Sequence, residues 1–228
     1  MPRGSRSLVL FDIDGTLVDV RGAGRRAFAA GIEEAWGIAD DLFDVNFAGA
    51  TDLLVLQQLR RRLVLPQEGE TRFFRAMERA LSAALLAEPP RVFSGVKETL
   101  SALAVSSDVV LGLVTGNSAR CATVKIEAGG IPRTWFSVGA FGDEHADRNE
   151  LARRAREAAT RAHGAFTTLV LVGDTPADIV AAHMIGAHAV AVTTGHYDRA
   201  QLLAAGAHFV VDDLRDWTND ALPPSESR

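Results

Sequence analysis

The chain is poor in thiols and poorer still, for its charge, in lysine. Cys121 is the only cysteine among 228 residues, so no intrachain disulfide can form and a cysteine-rich zinc site is excluded. Lysine occurs only at Lys97 and Lys125, which leaves arginine to carry nearly all the positive charge. No apolar run reaches membrane-spanning length without a charge or a turn residue, and the run at 8–11 is too short for the core of a signal peptide. The net charge of −5 offers no basic surface to nucleic acid or to an anionic membrane. The expectation is a cytoplasmic protein that binds neither.

What is present fits a globular enzyme. A chain this long can form one large domain or a core carrying a smaller insert. Residues 8–11 are continuously apolar and stop at the turn formers Asp12-Ile13-Asp14-Gly15-Thr16, the pattern of a buried parallel strand ending in a functional loop. Similar runs at 109–114, 137–141, 168–172 and 187–192 are separated by helical patterns at 97–105, 119–128, 149–163 and 178–184, with a short edge strand at 209–211. This alternation predicts an α/β, doubly wound, Rossmann-like parallel sheet.

Between 23 and 87 the alternation fails and only helical periodicity remains, at 23–36, 52–62 and 71–86. Pro66 and Gly69 interrupt it, and Pro89-Pro90 closes it. The organisation expected is therefore a core of residues 1–18 and 90–228, with a small all-helical cap of residues 19–89 inserted after the first strand. The tail from Asn219 is expected to fray.

Three clusters carry chemistry. Asp12 and Asp14 follow the first strand, where open α/β sheets bind ligands. Two ionised groups beside a dry interior cost several kcal/mol unless a cation or hydrogen-bond donors compensate. Gly173-Asp174-Thr175-Pro176-Ala177-Asp178 again sets two carboxylates beyond a buried strand, four residues apart, so that one helical turn can align them. Acids that converge on one sheet edge suit a hard divalent ion, and Mg²⁺ binds few carboxylates together with water and phosphate. Thr115-Gly116-Asn117 places a hydroxyl and amides at a third strand end, where they can donate to phosphate or simply cap a helix.

In this order and at these strand ends, the three clusters resemble the haloacid dehalogenase superfamily, in its phosphoglycolate-phosphatase-like branch, and the resemblance spans nearly the whole chain. It implies an Mg²⁺-dependent phosphatase acting on small phosphorylated metabolites through an aspartyl-phosphate. Asp12 matches the nucleophile and Asp14 the general acid and base. Thr115, with Gly116 and Asn117, matches the phosphate-binding segment. Metal ligands are implied at Asp12, Asp174 and Asp178 and at the backbone carbonyls of Ile13 and Asp14. Gly49, Thr51 and Asp52 resemble a substrate-facing cap segment.

One departure stands out. The superfamily uses a lysine to balance the nucleophile, and residues 141–151 contain none. Asp147 and Glu150 look like a helix-start acid pair, so Arg148 falls in the first turn and is expected to replace the lysine. Lys125 sits inside the helix after Thr115, a segment that does not match. His145 is expected to be a loop residue without a catalytic role.

Within the superfamily, a dehalogenase needs neither Asp14 nor the Asp174/Asp178 pair. A phosphonate hydrolase needs a cap lysine, which residues 23–87 lack. A phosphosugar mutase shares Asp12 and Asp14 and stays open as an alternative. So does a non-catalytic binding protein on this fold, which the missing lysine favours. Monomer and homodimer are both compatible with the sequence.

Overall fold

The computed structural model describes residues 6–217; the tail from Asn219 lies outside the described residues. The chain enters through β1 (Ser7–Phe11), every residue of which is buried. It then passes through β2 (Val18–Asp19) into three helices, α1 (Ala23–Trp36), α2 (Asp52–Leu63) and α3 (Glu70–Ala87), and returns through β3 (Arg91–Val92). β2 and β3 pair antiparallel, Val18 with Val92 and Asp19 with Arg91, so the outgoing and returning chains form one ribbon.

The three helices share a hydrophobic centre of their own, containing Phe28, Ile32, Leu56, Leu59, Phe73 and Leu81. Phe73 packs edge-on against Phe28 at 4.7 Å and stacks on Trp36 at 5.8 Å. Its complete burial is worth about 1.5–3 kcal/mol. Cys121, from a helix of the main sheet, joins the same cluster, so the helical unit rests on the core rather than standing apart from it.

After β3 the chain alternates regularly: α4 (Val96–Ala104), β4 (Val109–Val114), α5 (Ala119–Ala128), β5 (Phe136–Ala140), α6 (Arg148–His163), β6 (Thr168–Gly173), α7 (Pro176–Met184), β7 (His188–Val192), α8 (Arg199–Ala204) and β8 (Phe209–Val211). The six-stranded sheet has the order β5-β4-β1-β6-β7-β8, and all of its neighbouring strands are parallel. The period of two along β1 sends Val9 and Phe11 to the face covered by α4 and α5, and Leu8 and Leu10 to the face covered by α6 and α7. Alanines 152, 155 and 159 line the buried stripe of α6, and their small side chains allow close approach to α7 and the sheet.

The chain runs from β1 outward to β4 and β5, then crosses to β6 on the other side of β1. The point of reversal therefore lies between β1 and β6, where Asp12 and Asp174 emerge, and such switch points form ligand-binding crevices.

The doubly wound sheet and its helical insert agree with the sequence expectation. The β2–β3 ribbon was not foreseen, because two-residue strands carry no periodicity. Nor was α8, although Asp198 and Gln201 form a capping box at its start. No helix among the described residues is long and apolar enough to cross a membrane.

Candidate active site

β1 ends by handing its next amide to the neighbouring strand: Asp12 N–H donates to Val172 O at 2.9 Å. That bond places the Asp12 side chain at the crevice. Oxygens of Asp12, Asp174 and Asp178 lie within 4.8 Å of one another, and all three residues are buried. Gly15 makes the approach possible. It adopts φ 76°, and a Cβ there would stand 2.3 Å from Asp174 Oδ2. Thr16 Oγ1 donates to Asp174 Oδ1 at 3.2 Å.

Arg148 enters from the first turn of α6, whose start is capped by the Asp147 side chain accepting from Asn149 N–H. Its Nη2 lies 2.8 Å from Asp12 Oδ1 and 2.5 Å from Asp178 Oδ1. Asp178 spends its other oxygen inside a capping box, accepting from Thr175 N–H at 3.0 Å and Oγ1 at 2.7 Å. The Asp178 carboxylate is thus held between its own helix start and Arg148. Asp178 Oδ1 meets Arg148 Nη2 as an ion pair outside hydrogen-bond geometry, and Arg148 Nε is a buried atom with no hydrogen bond among the described residues.

One guanidinium does not balance three buried carboxylates. Burial raises the Asp12 pKa to about 6; repulsion from Asp178 and Asp14 adds to this, and Arg148 opposes it. Asp174 is raised well above the ordinary carboxylate range by burial, then by Asp12 and Asp178. Burial works against the charge of Arg148 too, but its ion pairs with Asp12 and Asp178 outweigh that and raise its pKa. The cluster carries more negative than positive charge and offers only oxygen ligands. Those two properties fit a hard divalent cation.

Thr115, completely buried at the end of β4, accepts from Asn117 Nδ2 at 2.8 Å. The Asn117 amide, expected at the phosphate, is turned instead toward Asp14 and Thr115: Nδ2 also donates to Asp14 Oδ2 at 2.7 Å. Lys125 lies on the helix after Thr115, as expected, and that helix brings it to the site although the segment does not match the family's lysine. Its ammonium lies 2.8 and 2.6 Å from the two Asp14 oxygens and 2.6 Å from Asn117 Oδ1. A signal for it existed. Cys121, Ala122, Lys125 and Ile126 form the buried stripe of α5, and a lysine on such a stripe requires a counter-charge.

The segment 49–52 docks on the core. Asp52 N–H donates to Gly116 O at 2.7 Å and Leu53 N–H to Gly142 O at 2.9 Å, so free amides at the start of α2 are satisfied by core loops. Thr51 caps α2 by accepting from Leu54 N–H and donates to Ala146 O at 2.9 Å. Asp52 Oδ2 accepts from Ser118 N–H at 2.7 Å. Burial lifts the Asp52 pKa to about 7, with the Ser118 bond and Lys125 opposing. Gly116 must lack a side chain here, since a Cβ would come 2.0 Å from Ala50 O.

Beneath this contact lies a cavity of about 370 Å³. Asp12, Asp14, Thr115, Gly116, Arg148 and Asp174 line its floor, and Arg25, Phe28, Phe47 and Met77 line its roof. His196 also borders it, without having been singled out in the sequence. His145 instead accepts from Asp147 N–H through Nδ1 in its own turn.

Three comparisons bear on this geometry. A family model described as haloacid dehalogenase-like hydrolase matches residues 7–186. The chain is 30% identical over 215 residues to the probable phosphatase IndB of Dickeya dadantii (strain 3937), covering 92% of this chain and 91% of that protein. It is 28% identical over 212 residues to a phosphoglycolate phosphatase of Agrobacterium fabrum, covering 91% and 88%. A crystal structure of a hydrolase from Pseudomonas syringae superposes with a TM-score of 0.70 at 22% identity, covering 93% and 95%; this last likeness shows the fold.

Proposed function

We propose, from the fact that this chain belongs to the haloacid dehalogenase-like hydrolases, that it is a phosphatase which takes the phosphoryl group of a small monoester onto Asp12 and then passes it to water. The observation that carries the reading is the Asp12 carboxylate, buried at the switch point with Arg148 Nη2 at 2.8 Å. A carboxylate so placed can act as a nucleophile once its charge and that of the ester are offset. The names of the relatives from Dickeya and Agrobacterium support the same reaction class.

Asp12 and Asp174 would hold Mg²⁺, with the Ile13 and Asp14 carbonyls as further candidates and Asp178 behind them, ion-paired with Arg148 and hydrogen-bonded to the α7 start. When bound, the ion would neutralise the carboxylate cluster and polarise the phosphoryl group. The residues of the chain divide the remaining work. Asp12 attacks phosphorus. Arg148 steadies the equatorial oxygens, with donor capacity left on Nε, and the Thr115 hydroxyl and Gly116 amide join it. Asp14 gives a proton to the leaving alkoxide and takes one from the water that hydrolyses the intermediate.

The helical unit of residues 19–89 acts as a lid, closed on the core through Thr51 and Asp52, with the β2–β3 ribbon at its base. Phosphoglycolate, named for the Agrobacterium relative, is the first ester to assay. A cytoplasmic setting belongs to the same proposal.

The test is release of inorganic phosphate from a panel of phosphorylated metabolites, with Mg²⁺ and with a chelator. Metal-dependent release that vanishes in Asp12→Asn supports the proposal. Absence of release from every ester, aryl phosphates included, would overturn it.

A further inference from the structure

We propose that Lys125 is a positioning residue which, together with Asn117, fixes the Asp14 carboxylate at the cavity for proton transfer to the leaving group. The proposal rests on the reading that Asp14 is the proton donor. Asp14 follows Ile13 on an irregular loop and its side chain is 40% exposed, so its own backbone does not fix the direction of the carboxylate. Both of its oxygens are nevertheless held. Lys125 Nζ donates to each, at 2.8 and 2.6 Å, and Asn117 Nδ2 donates to Oδ2 at 2.7 Å.

The geometry separates this role from a grip on the substrate. An ammonium has three donors, and Lys125 makes three hydrogen bonds, two to Asp14 and one to Asn117 Oδ1. None is left over for a phosphoryl oxygen. Asn117 is committed in the same way: its Nδ2 bonds to Asp14 and Thr115, and its Oδ1 accepts from Lys125. The three side chains close a ring that also touches the Thr115 hydroxyl.

Lys125 is built to stay in place. It is 4% exposed, on the helix α5 that joins the sheet core through Ile126 and the helical unit through Cys121. Arg148 and Lys125 therefore have separate duties: Arg148 balances Asp12 and Asp178, and Lys125 aims Asp14.

The experiment measures kcat/KM, which reports the step that expels the leaving group, for glycerol 3-phosphate and for p-nitrophenyl phosphate. An alkoxide needs an acid to leave, whereas p-nitrophenolate needs little help. Lys125→Met is expected to lower kcat/KM about a hundredfold on glycerol 3-phosphate and only about threefold on p-nitrophenyl phosphate. Asn117→Ala, which keeps the lysine and decides the matter if Lys125→Met fails to fold, is expected to show the same bias at about tenfold on the alkyl ester.

Equal losses on both esters in these variants would overturn the proposal. Asp14→Asn is the control for the underlying reading. If it shows the bias and the Lys125 and Asn117 variants do not, the positioning role fails alone. If Asp14→Asn lacks the bias as well, the assignment of Asp14 as the acid fails.

Discussion

Arg148 reaches Asp12 from a different layer of the fold: Nη2, on the first turn of α6, stands 2.8 Å from the carboxylate that ends β1. The pair is buried on both sides and shares its guanidinium with Asp178. The planar guanidinium faces two carboxylates at once.

Removing that guanidinium has two consequences. Arg148→Ala is expected to lower kcat about 10²–10³-fold, the usual cost of losing one preorganised donor. It also strands Asp12 and Asp178 as buried charges, at about 3–5 kcal/mol. Steady-state kinetics and chemical denaturation check these separately. Arg148→Lys should recover part of both, because one ion pair can re-form. A normal kcat in Arg148→Ala would remove the residue from the reaction.

Gly15 tests the metal site without touching a ligand. Gly15→Ala forces a Cβ to 2.3 Å from Asp174 Oδ2 at a residue with φ 76°, so Asp174 must move. The expected outcome is a Mg²⁺ affinity lowered about 10–100-fold, the range for disturbed ligand orientation. Titration calorimetry with Mg²⁺ measures it, and an unchanged affinity would show that Asp174 is not a ligand.

Asp52 supplies a pH dependence of known sign. Its folded pKa, about 7, lies above the reference value of 3.8, so between these values the folded chain binds more protons than the unfolded chain. The stability that Asp52 contributes is complete below about pH 4 and is lost as the pH rises toward 7. Lys125, Asp14 and Asp143 set its surroundings. Asp52→Asn keeps an acceptor for Ser118 N–H but cannot ionise. Its melting temperature should therefore fall less steeply than that of the parent from pH 4 to pH 7. Parallel profiles would contradict the shift.

The sheet was legible because its inner strands, β1, β4, β6 and β7, are largely buried on both faces and read as apolar runs between turn residues. The carboxylate cluster was legible because each acid follows such a run, and the topology then brings Asp12 and Asp174 to one switch point. The place of Arg148 in a first helical turn was legible from the acids Asp147 and Glu150 that mark the start of α6. Lys125 was not, because it lies 111 residues from Asp14 in sequence. Only the 3.6-residue period of α5 puts it on the buried stripe with Cys121 and Ile126, and only the fold brings Asp14 to that stripe. Asn117 is expected at the phosphate from its place after Thr115, but its side chain also has a partner in Asp14, 103 residues away in the chain. The β2–β3 ribbon escaped because two paired residues leave no pattern to read.

The most direct measurement is acid quenching of the enzyme during turnover of an aryl phosphate, followed by mass mapping of its peptides. The account predicts one phosphoryl group on the peptide that carries Asp12, located on that residue, and none in Asp12→Asn. Steady turnover with the Asp12 peptide unmodified, at times when an intermediate must accumulate by burst kinetics, would contradict it.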